Sequence, residues 1–184
     1  MTDFPPTLVV DANIWIDLDA GELLPLIFHL PFRLVSPDVI VAELKKPNGK
    51  ELVKMGLLSV ELGRSQIEEV MRLRSAHRKP GTVDLFALAL AKTEGLTLLT
   101  GDKNLRVAAR KECVTVHGTL WLLEQLVKYR IISVREAAEA LAKMITKGSR
   151  LPLDECKRCL KRWTKSYGQN LQGHSCCTAH GEKA

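Results

Sequence analysis

Four acidic residues lie at the edges of apolar segments, and their types and spacing suggest metal chemistry. They are Asp11 in LVVDANIW, Glu43 in PDVIVAEL, Asp84 in GTVDLFALALA and Asp102 in LLTGDKNL. A carboxylate beside an apolar strand is unfavourable unless another group compensates its charge. Mg²⁺ or Mn²⁺ held by several carboxylates is a common compensation, and two such ions about 3.5–4 Å apart support phosphodiester hydrolysis. The four acids therefore indicate a divalent-ion site.

The elements that must position these acids are strands alternating with helices throughout residues 8–117. Short apolar runs predict strands at 8–10, 32–35, 57–62, 96–100 and 113–116, with helical patterns between them. This order is typical of an α/β fold in which a parallel five-stranded sheet is covered by helices on both faces.

Such a sheet would bring the acids toward one edge. Asp11 directly follows the first predicted strand, and Asp102 lies two residues past the fourth. Glu43 and Asp84 lie on the helices that follow the second and third strands, with Asp84 in a first turn, where the helix dipole favours an anion. Ligands of open α/β sheets collect outside the carboxyl ends of the strands, so we expect the four side chains to converge there.

Each acid also has a purely structural interpretation. Asp11 is placed to cap the following helix, and Glu43 is placed to pair with a nearby lysine. Asp84 would serve only the helix dipole, and Asp102 would be turn chemistry within TGDKN. For the acids to have no shared function, all four structural interpretations would have to be true at once, each beside a predicted strand. A divalent-ion site is therefore the better explanation.

Smaller polar residues accompany the acids. Asn13 and Thr100 each lie two residues from an acid and are predicted to support the site by orienting a carboxylate. Asp17 and Asp19 are expected on the surface of the first helix. Ser36 is predicted to cap a helix that begins at Pro37.

Two further local features are predicted from turn and strand signals. Thr82 is predicted to cap the apolar helix that carries Asp84. Cys113 is expected to begin the fifth strand and to lie in the core.

Residues beyond 118 read as helices. A capping box at Ser133–Glu136 opens the second of three, and the third begins at Pro152 with its apolar face on Leu153, Cys156, Leu160 and Trp163. Three regions follow from these patterns: an α/β core at 1–118, a helical extension at 119–166, and a flexible Cys/His-containing tail at 167–184.

The tail raises the question of zinc. Cys156 and Cys159 precede His174, Cys176, Cys177 and His180 at a spacing near that of a small finger. Because Cys156 falls on the apolar face of its helix, both cysteines are interpreted as small hydrophobic residues, and a structural Zn²⁺ is not expected.

Charge and composition limit the functional classes. Residues 1–100 carry 11 Lys and Arg against 13 Asp and Glu, whereas residues 101–184 carry 16 against 8. An acidic site beside a basic half is typical of a protein that holds a metal ion at one place and phosphates around it, and it favours nucleic acid as a partner, although a solvated basic face or an acidic partner protein would give the same balance. His77, Arg78 and Lys79 form a basic loop that either contacts a nucleic-acid backbone or is simply solvated.

The N-terminal sequence, the length of the apolar runs and the number of cysteines indicate the cellular compartment. The N-terminal sequence MTDFPPTL has no secretory-signal pattern, and no apolar run approaches the length of a membrane span. The five cysteines are an odd number concentrated near one end, which argues against a disulfide scaffold. A cytoplasmic protein without membrane contact is therefore expected.

The chain resembles the PIN-domain (PilT N-terminus) nuclease family. The matching segments are VVDANIWI at 9–16, VAEL at 41–44, DLFALALA at 84–91 and TGDKNL at 100–105. The resemblance spans about residues 7–118, and the helices to about 163 are similar to C-terminal helices found in such proteins. It implies a three-layer α/β/α sandwich and a Mg²⁺- or Mn²⁺-dependent ribonuclease with one or two ions on Asp11, Glu43, Asp84 and Asp102, supported by Asn13 and Thr100.

The resemblance also implies partners. Many small members are toxins of the VapC type, which pair with an antitoxin and are commonly dimeric, although the extra helices and the tail depart from that group. The first functional hypothesis is that the protein is a divalent-metal-dependent endoribonuclease, which could be the toxin of a toxin–antitoxin pair. Its alternatives are a catalytically silent PIN-fold module that binds RNA or protein, and a structure-specific DNA nuclease.

Overall fold

The computed structural model describes residues 6–167. Its centre is a five-stranded sheet in which every neighbouring pair of strands is parallel, in the order β3-β2-β1-β4-β5. The strands are β1 (Thr7–Val10), β2 (Arg33–Pro37), β3 (Leu58–Val60), β4 (Thr97–Leu99) and β5 (Val116–His117). The predicted five-stranded parallel sheet is confirmed.

Helices flank this sheet and complete the α/β/α sandwich. They are α1 (Ala12–Ala20), α2 (Leu24–Ile27), α3 (Asp38–Glu43), α4 (Gly49–Met55), α5 (Arg64–Ala76), α6 (Thr82–Thr93), α7 (Lys103–Lys111), α8 (Thr119–Lys128), α9 (Val134–Thr146) and α10 (Leu153–Tyr167). Helix α6 packs across β1, β2 and β4 with α5 against it, whereas α1 packs against α8 and α9, and α10 covers α8 and α9. None of the helices within residues 6–167 is long and apolar enough to cross a membrane.

Strand β1 occupies the middle of the sheet, with β2 on one side and β4 on the other. Leu8 aligns with Leu34 of β2 and with Thr97 of β4, and the amide of Asp11 donates to the carbonyl of Leu99 at 3.0 Å. The chain moves outward from β1 to β3 and then crosses back to β4, so the topological switch point lies beside β1. Asp11, the residue that leaves β1, therefore starts at the place where such sheets bind ligands.

Helix α6 is buried on most sides, as its continuous apolar sequence predicts. Its buried residues are Leu85, Ala87, Leu88, Ala89, Leu90 and Ala91. Small alanines let the helix approach the strands closely, and each buried leucine contributes about 1.5–3 kcal/mol. This packing fixes the first turn of α6, and thus Asp84, against the end of the sheet.

Ser36 belongs to β2 and does not cap a helix, so the predicted cap was wrong. Its hydroxyl donates to the carbonyl of Val10 at 2.7 Å and accepts from Nε1 of Trp15 at 3.1 Å. These partners lie 26 and 21 residues away, and they satisfy a fully buried hydroxyl better than a local cap would. Pro37 is the residue that precedes α3.

Two other local predictions were wrong. Gly81 takes the N-cap position of α6, and Thr82 is the first residue inside the helix. Cys113 is exposed and has a φ of +59°, because it closes the C-terminal turn of α7 with its amide donating to the carbonyl of Arg110. The strand that was predicted from Cys113 begins only at Val116.

The C-terminal helices agree with the sequence patterns except at the start of α10. The capping box is present: the Ser133 amide donates to Oε2 of Glu136 at 2.7 Å, and the Glu136 amide donates to Oγ of Ser133 at 3.2 Å. Cys156, Cys159 and Trp163 are buried on one face of α10, whereas Leu153, which was predicted on that face, is the first residue of the helix and is 55% exposed. The second group of the candidate zinc cluster, from His174 to His180, lies outside the described residues.

Candidate active site at the end of the central strand

Asp11 is fully buried at the carboxyl end of β1 and is surrounded by hydrogen-bond donors. Its Oδ1 accepts from the amide of Ala12 at 2.8 Å. Its Oδ2 accepts from the Thr100 hydroxyl at 2.7 Å and from Nδ2 of Asn13 at 3.0 Å. Asp11 does cap α1, as its structural interpretation predicted. Capping needs only one donor, however, whereas three donors bind and orient this carboxylate.

Thr100 connects the two loops that border the site. It follows β4 and is fully buried, and while its hydroxyl donates to Asp11 it accepts from the amide of Asp102 at 3.0 Å. One side chain thus fixes the turn after β1 relative to the turn after β4. Asn13 and Thr100, which the sequence indicated as supporting residues, both contact Asp11 directly.

Asp84 and Asp102 each cap the helix that carries or follows them. Oδ2 of Asp84 accepts from the amide of Gly81 at 3.0 Å, and Oδ1 of Asp102 accepts from the amide of Leu105 at 2.7 Å. Each bond uses one carboxylate oxygen and leaves the other without a protein donor in the described part of the chain. The caps hold both carboxyl groups in place while one oxygen of each stays free for a ligand.

The electrostatics tie the four acids together. Burial raises the pKa of Asp11 to about 6; the Thr100 hydrogen bond opposes this rise, and the charge of Asp84 adds to it. Burial also raises the pKa of Asp84; the Gly81 amide opposes that rise, and the charges of Asp102 and Glu43 add to it. Asp84 is therefore the common neighbour: its charge raises the pKa of Asp11, and the charges of Asp102 and Glu43 raise its own pKa.

Glu43 is the outermost member of this group. It is the last residue of α3, and its side chain is exposed. It forms no ion pair with any lysine or arginine between residues 6 and 167, so the predicted alternative of a lysine partner is not seen. The same holds for Asp11, Asp84 and Asp102, so none of the four acids has an ion-pair partner among the described residues.

The donor chemistry of this site fits a hard divalent cation. All four side chains offer oxygen, the class of ligand that Mg²⁺ and Mn²⁺ prefer, and their uncompensated charge would attract a cation. The side chains of residues 6–167 do not, however, bring three Asp, Glu, His or Cys groups into one closed coordination group.

Asp17 is a buried residue near the site that sequence reasoning placed on the surface. It is 8% exposed, and its Oδ2 accepts from the hydroxyl of Thr119 at 2.6 Å. A Cβ on Gly101 would lie 3.7 Å from the same oxygen. The sequence spacing could have predicted this position, because Asn13 and Asp17 are four residues apart and therefore share one face of α1. Asp19 is partly exposed.

The basic loop before α6 divides into two parts. The ring of His77 is 11% exposed, with its Nε2 2.7 Å from Oε1 of Glu112, so it belongs to an ion-pair network with Arg72 and Lys92. Arg78 and Lys79 are exposed to solvent. Only these two present their charge in the way that contact with RNA would require.

Comparison with known proteins places the chain in a family. The family model DUF3368, described as a PIN domain, matches residues 7–165. That match includes the sheet, the four acids and nearly all of α8, α9 and α10. No curated protein matches the chain. PIN domains are generally nucleases, and both the parallel sheet and the acids at its switch point agree with that activity. The chain belongs to the PIN-domain family.

Proposed function

We propose that this protein is a divalent-metal-dependent endoribonuclease. The observation that carries the proposal is a fully buried carboxylate at the carboxyl end of β1, Asp11, which hydrogen bonds from Thr100 and Asn13 orient and which has no basic partner in the described chain. The charge of Asp84 adds to the cost of keeping this carboxylate ionised. A buried charge that nothing neutralises is costly, and active sites are where proteins maintain such groups. The family's nuclease activity supplies the class of reaction.

The side chains divide the work between them. Asp11, Glu43, Asp84 and Asp102 would hold one or two Mg²⁺ or Mn²⁺ ions and are the proposed catalytic residues. Asn13 and Thr100 act as positioning residues, because both donate to Oδ2 of Asp11 and leave its remaining lone pairs pointing in fixed directions. A bound divalent ion would supply Lewis-acid stabilisation of the phosphoryl oxygens and an activated water at neutral pH.

The assignment to RNA rests on charge and on family resemblance. The basic balance of residues 101–184 suits a polyanion, and the resemblance is to ribonucleases. Pairing with an antitoxin, action as a toxin and formation of a homodimer are predictions that follow from the same resemblance. Light scattering of the purified protein measures the dimer, and co-purification with the product of the neighbouring gene measures the antitoxin.

Cleavage of a mixed RNA pool in Mn²⁺, Mg²⁺ or EDTA tests the proposal. We expect cutting only with a divalent ion, and a loss of at least 100-fold in Asp11→Asn and Asp84→Asn, in line with the removal of one electrostatic group from an active site. Asp154→Asn is the matched control, because Asp154 is an exposed acid on α10. Cutting that survives in both site variants would exclude these residues as the catalytic ones.

A binding measurement separates loss of the ion from loss of the fold. We expect Mg²⁺ to raise the melting temperature of the wild type and of Asp154→Asn, but not that of Asp11→Asn. Wild-type protein that binds RNA yet neither cuts it nor responds to the ions would instead be the catalytically silent module, and cutting confined to branched DNA would indicate the structure-specific DNA nuclease.

A further inference from the structure

A groove runs from the acidic site to the connection between α9 and α10. Its volume is about 570 Å³, within the range of about 300–1,000 Å³ found for ligand sites. It is lined by residues of α1 and of the turn before α7, including Asn13 and Asp102. It is also lined by Lys147 and Arg150 of the α9–α10 connection. The groove therefore joins the proposed catalytic end of the sheet to helices that lie outside the α/β core.

The groove is lined by more cations than its one acid of the proposed site. Asp102 belongs to that site, whereas Lys147 and Arg150 of the α9–α10 connection are two exposed cations, and Lys103 adds a third at the start of α7. Arg150 forms no ion pair with any carboxylate of residues 6–167. Lys147 lies 3.6 Å from Glu22, an exposed contact that contributes little. Both cations are thus available to an anionic ligand.

The position of Arg150 is set by the end of α9. The Ser149 amide donates to the carbonyl of Met144 at 2.9 Å, which closes the helix with a six-residue Schellman turn. Gly148 has a φ of +94°, a conformation that residues with side chains rarely adopt. The turn directs the chain along the groove, so Lys147 and Arg150 line it together.

The groove also has apolar surface. Ile16 of α1 is 48% exposed and lines the groove, although most large apolar residues of α1 are buried. An exposed apolar side chain in a groove that also holds cations suits a ligand with both phosphates and apolar faces. Single-stranded RNA offers such faces, because its bases are unpaired and can be splayed out.

We propose that this groove binds the sugar–phosphate backbone of single-stranded RNA, with Lys147 and Arg150 contacting phosphates beyond the one that is cut. The inference rests on the proposed ribonuclease function and gives the C-terminal helices a role in it. Phosphates held by Lys147 and Arg150 would align the strand so that a neighbouring phosphate lies at Asp102, the acid that lines the groove. Ile16 would pack against a sugar or base between them.

Binding in EDTA tests the groove without any cleavage. The probe is a fluorescein-labelled, mixed-sequence 12-nucleotide RNA, followed by anisotropy at several salt concentrations. Lys147→Gln/Arg150→Gln is expected to raise Kd about tenfold or more, and to reduce the slope of log K against log salt by about 1.4, since each single-strand phosphate contact contributes about 0.7. Lys161→Gln/Lys165→Gln is the matched control, because it removes the same charge from exposed positions on α10.

Each outcome decides one claim. Equal losses in the two double variants would show a general charge effect and overturn the groove, and so would unchanged binding in Lys147→Gln/Arg150→Gln. Arg150→Glu alone gives a second reading and should weaken binding more than Lys165→Glu. Wild-type protein that binds through the groove but never cuts would overturn the ribonuclease and leave the groove standing. Tighter binding of the same sequence as DNA would overturn the assignment to RNA.

Discussion

The hydroxyl of Thr100 donates a 2.7 Å hydrogen bond to Oδ2 of Asp11, a residue 89 positions earlier in the chain. Neither side chain is accessible to solvent. Because the same hydroxyl accepts from the amide of Asp102, this one contact sets the distance between the turn after β1 and the turn after β4. The stability of the site can therefore be probed at Thr100 without changing any acid.

Thr100→Val keeps the shape of the side chain and removes its hydroxyl. We expect the free energy of unfolding at pH 8 to fall by about 1.5–3 kcal/mol, the range for a buried hydrogen bond to a charged group. The loss should be smaller at pH 5, where the carboxyl of Asp11 is largely protonated. Urea unfolding at both pH values measures the effect.

Thr93→Val is the control for that substitution. Its hydroxyl donates only to the backbone carbonyls of Ala89 and Leu90 within α6, so its effect should not change between pH 5 and pH 8. Equal losses at the two pH values for Thr100→Val would contradict the link to the ionisation of Asp11.

Asp11→Asn should make the protein relatively more stable as the pH rises. The pKa of Asp11 is about 6 in the folded state against an ordinary value of 3.8, so the folded state binds the proton more tightly than the unfolded state. In the wild type, the protonated Asp11 carboxyl adds to the free energy of unfolding below about pH 4, and this contribution is lost as the pH rises through 6. The contribution is about 3 kcal/mol at most.

Denaturant unfolding in EDTA at pH 4 and pH 8 measures this difference. The free energy of unfolding of Asp11→Asn minus that of the wild type should increase by up to about 3 kcal/mol between the two pH values. Asn13 can turn its amide to accept from the new Asn side chain, which limits the damage to packing. A difference that stays constant with pH would refute the raised pKa.

Glu112→Gln tests the ion-pair network on the other side of the core. Burial raises the pKa of Glu112, but hydrogen bonds from Lys92, His77 and Arg72 outweigh it and lower the pKa to about 2. The ionised Glu112 therefore adds to the free energy of unfolding, fully above about pH 4.5, and this contribution is lost as the pH falls through 2.

We expect Glu112→Gln to lower the free energy of unfolding by about 2 kcal/mol at pH 7 and by about 1 kcal/mol at pH 3, where part of the effect has been lost. This is below the full shift because the side chain of Arg72 is 46% exposed and its charge is screened. Glu68→Gln is the control: its pair with Arg64 is exposed on both sides, and the change should stay within about 0.5 kcal/mol. Chemical denaturation at the two pH values checks both variants.

Ser36→Ala should destabilise the fold without touching an acid. The change leaves the Nε1 donor of Trp15 and the carbonyl of Val10 without their buried partner, at about 1–3 kcal/mol. Unfolding followed by tryptophan fluorescence measures the loss. Ser59→Ala in β3 is the control, because Ser59 is exposed and should tolerate the change. Similar stability for both variants would show that the Ser36 bridge contributes nothing.

The sequence predicted those parts of the site that depend on nearby residues. Asp11 follows a three-residue apolar run, and Asp102 lies in a turn with a strong helix-start pattern, so strand and turn signals sufficed to place both. Asp84 was located by the apolar run of α6, whose burial needs no knowledge of the partner strands.

Long-range partners account for the errors. Ser36 has the sequence of a helix cap, but its partners Val10 and Trp15 come from another segment, and no local pattern reveals them. Asp17 looks like a surface residue until Thr119, 102 residues away, donates to it. The groove beside the site was missed for the same reason, because the α9–α10 connection reaches it only through the packing of α9 on α1.

The central position of β1 determines when the site can exist during synthesis. Strand β1 can pair with β4 only after Thr97, the partner of Leu8, has been synthesised. Asp11 can accept its hydrogen bond from Thr100 only after Thr100 has been added. At about 5–20 residues per second, roughly 90 residues of further translation take on the order of ten seconds. During that interval the emerging chain carries Asp11 but no completed acidic centre. The proposed ribonuclease therefore cannot act on RNA near the ribosome until almost all of its own α/β core has been made.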